Sequence, residues 1–144
     1  MTTTTATLTP AALATRFHEA CMTGEGWAAC KTYCAPGATL RHDTAMLAGI
    51  ETLAAYAEFL KSVHTFMPDF GFEVRSLGVD EERGRVLLHY GLWGTHTGEG
   101  GPRPPTGKRF VSESVLVFEF DGDRIRHVTK LWNDADTMRQ AGWV

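Results

Sequence analysis

The sequence predicts an α+β fold, in which helices pack against an antiparallel β-sheet, and two observations carry that expectation. Apolar residues recur at helical spacing over about the first half of the chain, with glycine or proline at the ends of the runs. Beyond Phe70 the period changes to two, and β-branched and aromatic residues fill segments separated by turns. Helices that precede strands joined by short turns are typical of this class.

The helices are predicted mainly from their ends. Thr9 before Pro10 is typical of a helix start, because threonine caps the first free amides and proline suits the first helical position. In the longest helix, apolar residues from Leu53 to Met67 share one stripe, and Pro68 follows it. The predicted helices run from 10 to the glycine at 24, from 27 to 34, from 50 to 66 and from 134 to 142.

The strands are predicted from alternation. In the segment 85–97, Leu88 and Tyr90 point to one face, and His89 and Trp93 point to the other. A sheet with apolar groups on both faces needs two covers, so we expect helices on one face and a second protomer, forming a homodimer, on the other. The predicted strands cover 38–43, 72–79, 85–97, 108–120 and 124–133, with hairpin-type connections between the last four.

Length and composition indicate one globular domain. Of the 144 residues 43% are hydrophobic and 22% are charged, so we expect one domain over residues 9–144 after a disordered lead at 1–8. The net charge of −3 offers no basic surface for a nucleic-acid backbone. No apolar run is long enough for a bilayer, and the threonine-rich start lacks a secretory signal, so we expect a cytoplasmic protein without membrane or nucleic-acid partners.

Cysteines and histidines show none of the spacings that mark metal sites. Cys21, Cys30 and Cys34 are odd in number and form no Cys-x-x-Cys pair, so we expect small buried side chains rather than a disulfide framework or a zinc site. The six histidines are scattered, without a His-Glu-x-x-His run. We therefore expect no metal.

A loop rich in glycine and proline, residues 98–107, raises the question of a phosphate-binding loop. That motif needs Gly-x-x-x-x-Gly-Lys followed by Ser or Thr, but here five residues separate Gly101 from Gly107, and Arg109 stands at the hydroxyl position. The loop also joins a strand to a strand, so no helix N-terminus faces a phosphate. We interpret it as a long hairpin connection whose glycines adopt unusual backbone angles and whose prolines stiffen it.

Lys130 is the most unusual polar residue of the predicted strands. Alternation places it on one face with Val128 and Trp132, where a core residue would be apolar. Either this face is solvated, or the lysine pairs with a carboxylate such as Asp43 or Asp134, or it lies desolvated in a pocket as an acid, a base or an electrostatic anchor. The residues alone leave these possibilities open.

Two histidines and a set of large side chains are the other candidates for a pocket. His42 and His96 each stand at the end of a predicted strand, where pockets open. Aromatic residues come from helices and strands alike, and a cup lined by several of them suits a flat apolar ligand. The predicted wall consists of Trp27, Tyr33, Phe59, Val63, Tyr90 and Trp132.

Three segments in the second half of the chain resemble a known family. GLWGTHTGEGGPRPPTGKRF at 91–110, DGDRIRHVTKLWND at 121–134 and RQAGW at 139–143 are similar to SnoaL-like polyketide cyclases. This family belongs to a group that includes ketosteroid isomerase, scytalone dehydratase and nuclear transport factor. The resemblance extends weakly upstream, to about residue 33.

The resemblance implies a cone-shaped fold, in which a strongly curved antiparallel sheet wraps around a long helix and encloses an apolar pocket. It also implies chemistry without a cofactor, and association through the sheet. The aldol cyclases of the family use an aspartate on the last strand and a histidine on the strand before it. An ungapped alignment places Lys130 and Leu116 at these two positions, so both groups are replaced here.

These observations lead to one preferred hypothesis and two alternatives. The preferred one is a cofactor-free cyclase or isomerase for a small apolar, aromatic or polyketide-like carbonyl compound. In it Lys130 stabilises an enolate or, if desolvated, acts as base, His42 and His96 are proton relays or orienting groups, and Leu116 belongs to the pocket wall. The alternatives are a binding module with the same pocket, and a hydratase or epoxide hydrolase in which Asp43 activates water.

Overall fold

A computed structural model describes residues 8–144 of the chain. The predicted N-terminal lead, residues 1–8, lies outside the described residues except for Leu8. The helices are α1 (Pro10–Met22), α2 (Trp27–Cys30), α3 (Leu53–Phe66) and α4 (Asp134–Gln140), and a 3₁₀ turn (Lys31–Tyr33) follows α2. The strands are β1 (Cys34–Arg41), β2 (Gly71–Asp80), β3 (Arg85–Thr95), β4 (Arg109–Asp121) and β5 (Arg124–Trp132).

Both long helices begin where a threonine caps them. The Thr9 side chain accepts a hydrogen bond of 3.1 Å from an amide in the first turn of α1, as the sequence predicts. α3 begins after the predicted residue 50, because Thr52 is its cap and accepts from a first-turn amide at 3.1 Å. The residues just before the cap are tied to β1, since Leu40 N donates to Glu51 O at 2.9 Å.

The boundary between the second helix and the first strand differs from the prediction. The helix predicted over 27–34 is a four-residue α2 followed by the 3₁₀ turn, and β1 begins at Cys34 because that residue pairs with β5. The register shifts inside β1, where Pro36 cannot donate a ladder hydrogen bond and Gly37 has a φ of 72°. The Ala-Pro-Gly segment therefore makes an irregularity in a strand rather than a helix end.

The five strands form one open sheet in the order β1-β5-β4-β3-β2. The predicted antiparallel pairing holds from β2 to β5. β1 instead pairs with β5 in parallel, so the sheet is mixed; the two strands are not consecutive in the chain, and no hairpin joins them directly. Register shifts interrupt the β2–β3 and β4–β5 ladders, and such bulges increase the bend and twist of a sheet.

The two faces of the sheet have different surroundings. Alternate residues of β3, among them Leu88 and Tyr90, are fully buried in the core with Phe17 of α1 and Leu53 of α3. On the other face apolar side chains remain exposed, such as Val111 at 50%. The helices thus cover one face only, and four helices on an open, mixed sheet confirm the predicted α+β cone.

Candidate functional site

An apolar chamber lies on the covered face, between α3, the sheet and the C-terminal end of the chain. Methionine, leucine, phenylalanine and tryptophan side chains make up most of its lining. The polar groups in the lining belong to Tyr56, Lys130, Thr137 and the two indoles of Trp132 and Trp143. The free volume is only about 30 Å³, so a ligand larger than one or two water molecules enters only if wall side chains move. Flexible methionines such as Met46 allow that movement.

Lys130 is buried at the side of this chamber with two tyrosines as partners. Its side chain is 3% exposed, and Nζ donates to Tyr90 Oη at 2.6 Å and to Tyr56 Oη at 3.1 Å. Nζ also lies 5.0 to 5.3 Å from the ring centres of Tyr56, Tyr90 and Trp132. Aromatic faces attract a cation, so the three rings partly replace the water that Lys130 loses on burial.

No carboxylate of residues 8–144 forms an ion pair with Lys130. Of the two carboxylates that the sequence offers as partners, Asp43 is exposed in the loop after β1. Asp134 accepts hydrogen bonds from Ala45 N (2.9 Å) and Met46 N (3.0 Å), and so holds that loop. Of the three possibilities for Lys130, the geometry therefore selects the desolvated lysine.

Strand pairing explains how the lysine reaches the tyrosines. Inward-facing residues alternate along β5, and Leu116 of β4 is the cross-strand partner of Lys130. Tyr90 comes from the next strand, β3, and its ring faces the same side of the sheet. Tyr56 comes from α3, which lies across that side, so one helix and two strands together surround the amine.

The two tyrosine hydroxyls leave one N–H of the Lys130 amine without a hydrogen-bond partner in the described part of the chain. An ammonium group has three N–H donors, and the tyrosines account for two of them. Burial, and then the neighbouring Tyr90 and Cys21, raises the pKa of Tyr56 well above its ordinary value, so this phenol stays neutral. The site thus combines the amine, the neutral phenol of Tyr56, the hydroxyl of Tyr90 and one N–H that can bind a ligand oxygen.

His18 of α1 packs behind this group and was not predicted as part of it. Its ring centre is 4.3 Å from that of Tyr90 and 5.0 Å from that of Phe72, and its Nε2 has no partner among the described residues. Burial, assisted by the charge of Lys130, lowers the pKa of His18 to about 3. The imidazole is therefore neutral. Its four-residue spacing from the buried Ala14 is the signal that could have found it.

Some of the residues predicted to form the pocket wall do meet at the chamber. Phe59, Val63 and Trp132 line the chamber together with Lys130, and Tyr90 binds the amine. Leu116 is fully buried beside Lys130 in the sheet.

Trp27 and Tyr33 are not among the residues that line the chamber. Trp27 starts α2, and its backbone N–H donates to Glu58 at 3.1 Å. Tyr33 faces a shallow groove beside Arg16 and Glu19 of α1.

The two predicted histidines have hydrogen-bond partners away from the amine. His42 Nδ1 accepts from Thr44 N at 3.1 Å and its Nε2 contacts Ile50 O at 3.0 Å, so it closes the loop between β1 and α3. His96 is fully buried and accepts from Trp143 Nε1 at 2.9 Å. Neither belongs to the chamber lining, although Trp143 does, so a relay role for either histidine stays a prediction.

Several residues of the site lay outside the predicted set. Tyr56 was predicted as part of the apolar stripe of α3 and as one of the aromatic residues, but not as a wall residue, because nothing in the spacing separates its hydroxyl from the core. Met46, Phe66 and Trp143 line both the chamber and a wider outer cleft, and with the predicted Phe59 they form the barrier between the two. Trp143 follows the last helix, where no periodicity identifies a buried residue.

The glycine-rich loop borders the outer cleft, in which Gly100, Gly101 and Arg103 take part. The loop is pressed against the end of α3, since Gly98 N donates to Phe66 O at 3.0 Å. A Cβ added at Gly98 would stand 2.3 Å from the carbonyl oxygen of a neighbouring α3 residue. Close backbone approach, rather than phosphate binding, therefore explains this glycine.

Within residues 8–144 no group of three or more His, Cys, Asp or Glu side chains is arranged to hold a metal ion. In the same part of the chain no helix has the length and apolar character needed to cross a membrane.

The fold and site together define a class of protein. Helices packed on one face of an open, curved sheet, with an apolar chamber between them, are the architecture of the cone-shaped proteins that the sequence resembles. A family model described as SnoaL-like polyketide cyclase matches residues 12–141. The chain belongs to the SnoaL-like polyketide cyclase family, which confirms the resemblance. No curated protein matches the sequence.

Solved structures share the fold at low sequence identity. A protein of Acidithiobacillus ferrooxidans, provisionally described as a polyketide cyclase, is 24% identical with a TM-score of 0.73, over 96% of this chain and 99% of its own. IdmH of Streptomyces antibioticus, described in the same way, is 19% identical with a TM-score of 0.73, over 94% and 99%. AclR of Streptomyces galilaeus, provisionally described as a hydroxylase, is 20% identical with a TM-score of 0.71, over 92% and 80%. The fold alone therefore does not select a reaction.

Proposed function

We propose that the protein is a cofactor-independent enzyme of the cyclase or isomerase type, in which Lys130 binds the carbonyl oxygen of a small apolar substrate. Family and fold support the general role. The observation that carries the particular reaction is the buried amine, which has two phenol partners, no carboxylate partner among the described residues and one further N–H donor.

Such an amine favours reactions that pass through an enolate. Loss of a proton next to a carbonyl places negative charge on the oxygen, and an ammonium held in an apolar site stabilises that charge far better than water does. Removal of one such donor in characterised enzymes slows the reaction about 10²- to 10³-fold. The tyrosines keep the amine in place, so the donor needs no rearrangement as the charge develops.

The positive charge also predicts the kind of ligand. A buried cation without a carboxylate partner is stabilised by a ligand that brings its own negative charge. An apolar compound with an acidic enol, such as a 1,3-dicarbonyl, meets both requirements, because its enolate oxygen pairs with Lys130 and its body fills the chamber. The ligand is small or flat, since the chamber is narrow and its barrier consists of a few side chains.

An acidic substrate changes what is required of the protein. It ionises in solution, so a strong base inside the chamber is not needed, and the enolate carbon either takes up a proton or attacks a second carbonyl of the same molecule. Proton return gives isomerisation; attack on the second carbonyl, followed by protonation of the new alkoxide, gives cyclisation. Tyr56 is a partner of the amine and lines the chamber, so it supplies these protons, which solvent then replaces.

One observation favours a second function, a binding module without chemistry. Within residues 8–144 the chamber lining includes no carboxylate and no imidazole, so the usual general bases are missing from the wall. The hydratase hypothesis has no comparable support, because Asp43 is exposed and does not line the chamber.

Binding of a matched pair of ketones tests the charge argument. 1-Phenylbutane-1,3-dione has an acidic enol, and 1-phenylbutan-1-one has the same aromatic body without it. Calorimetry is expected to show at least about tenfold tighter binding of the dione by the native protein, and loss of that preference in Lys130→Met. Lys61→Met removes an exposed lysine and is the matched control. Equal affinities for the two ketones in the native protein would contradict the proposal.

A second measurement separates the enzyme from the module. Exchange of the C2 hydrogens of 1-phenylbutane-1,3-dione, followed by NMR in D₂O, is expected to be accelerated by the native protein and slowed at least about 100-fold in Lys130→Met. A dione preference without any acceleration of exchange would leave the binding module as the function.

The proposed assembly is a homodimer through the outer face of the sheet. That face exposes Leu87, Val111 and Leu131, and the helices cover only the opposite one. Sedimentation of the native protein and of Val111→Glu tests it, because a charge at the centre of an apolar contact would shift the mass towards one chain. A cytoplasmic location stays a prediction of the sequence.

A further inference from the structure

Two thiols that the proposed function does not use meet between the first two helices. Cys21 lies in α1 and Cys30 ends α2, and their sulfur atoms are 3.4 Å apart. Both side chains are almost wholly buried, at 1% and 0% exposed. We propose that Cys21 and Cys30 are a redox-modification site, at which a small two-electron oxidant joins them in a reversible disulfide bond.

The geometry requires only a small displacement. A disulfide holds its sulfur atoms about 2.0 Å apart, so the present distance of 3.4 Å must shorten by about 1.4 Å. α2 is a single turn of four residues that begins after Gly26, a residue with a φ of 83°. So short a helix has little backbone hydrogen bonding of its own to lose, and it can shift towards α1 or open briefly to admit a small reagent.

The two thiols are unequal, which suits them to successive steps. The hydrogen bond from the Cys21 thiol lowers the pKa of Cys30, whereas burial raises the pKa of Cys21 well above its ordinary value. Cys30 is therefore the thiolate that reacts first. With hydrogen peroxide it forms a sulfenic acid and releases one water, and Cys21 then attacks that sulfur and releases a second water. Two thiols lose two electrons and two protons, and the peroxide is reduced.

Cys34 provides an internal control. It is buried too, and burial, followed by the nearby Cys30, raises its pKa to about 12. Its sulfur forms no hydrogen bond within residues 8–144, unlike the pair. Proximity rather than burial thus distinguishes Cys21 and Cys30, and the oxidant is expected to leave Cys34 as a free thiol.

Peptide masses test the proposal on the native chain without any mutation. Trypsin cuts after Arg16 and Lys31, so peptide 17–31 carries both thiols of the pair and peptide 32–41 carries Cys34 alone. The folded protein is treated with diamide, whose N=N bond accepts the two electrons and two protons, and is then unfolded and alkylated. Peptide 17–31 is expected to be two hydrogens lighter and free of alkyl groups, while peptide 32–41 is alkylated. Dithiothreitol before alkylation is expected to restore both thiols.

Variants and one further condition complete the test. Cys34→Ala is expected to form the same bridge at the same rate, and Cys30→Ser none. The proposal is overturned if diamide leaves both thiols of peptide 17–31 open to alkylation, or if it joins that peptide to peptide 32–41. It is also overturned if the bridge forms only when the protein is treated in denaturant, because the native contact would then have no part in it.

Discussion

Mild acid is expected to destabilise the protein through His18, and a single substitution isolates this effect. Burial lowers the pKa of the folded-state imidazole to about 3, against 6.5 for the free side chain. The groups that face it are Tyr90 on β3, Phe72 on β2 and the positive charge of Lys130 on β5. In His18→Leu this titration is absent, so the difference between the two proteins reports on the imidazole alone.

The sign follows from which state takes up the proton first. As the pH falls below 6.5 the unfolded chain binds a proton at His18, whereas the folded chain does not until about pH 3. The contribution of the neutral His18 to the free energy of unfolding is therefore complete above pH 6.5 and is lost progressively down to about pH 3. The slope is about 1.4 kcal/mol per pH unit, so between neutral pH and about pH 5 the native protein loses roughly 2 kcal/mol relative to the variant.

Urea unfolding followed by tryptophan fluorescence measures this difference at a series of pH values. His89→Gln, which changes a partly exposed histidine that contacts Glu113 at 3.1 Å, is the control and is expected to keep the loss of stability on acidification. Lys130→Met removes the charge next to His18, so the loss on acidification is expected to become smaller. Parallel stability curves for the native protein and His18→Leu between neutral pH and about pH 5 would refute the reasoning.

The remaining predictions concern stability at neutral pH. Gly98→Ala is expected to lower the free energy of unfolding by about 3 kcal/mol, because its Cβ would overlap a backbone carbonyl of α3. Gly78→Ala has no neighbour among the described residues within 4 Å of its Cβ and is expected to lower it by under about 1 kcal/mol. Equal urea midpoints for the two variants would contradict this. Asp134→Ala leaves the amides of Ala45 and Met46 without their acceptor. We expect the free energy of unfolding to fall by about 2 kcal/mol and amide hydrogen exchange in the loop after β1 to become faster. Tyr90→Phe removes the shorter of the two hydrogen bonds of Lys130, and calorimetry is expected to show a free energy of unfolding lower by about 1.5 kcal/mol. An unchanged melting temperature would show that this hydrogen bond is energetically unimportant.

Local patterns determined the elements but not all their boundaries. The cap at Thr9 begins α1 where the sequence predicts, because a cap acts within one turn. β1 was predicted too short, because its first residues are held by β5, which lies far away in the chain. The parallel pairing of these two strands was missed for the same reason.

The sequence by itself determined the fold class, the family and the face that Lys130 shares with Val128 and Trp132, since alternation along a strand fixes which residues share a side. Only the tertiary structure decided what Lys130 meets there: Tyr56, 74 residues before it, and Tyr90, 40 residues before it, rather than either candidate aspartate. It also placed His42 and His96 away from the amine. Spacing restricts a side chain to one face, but the packing of distant segments chooses its neighbours, and the chemistry of the site depends on those neighbours.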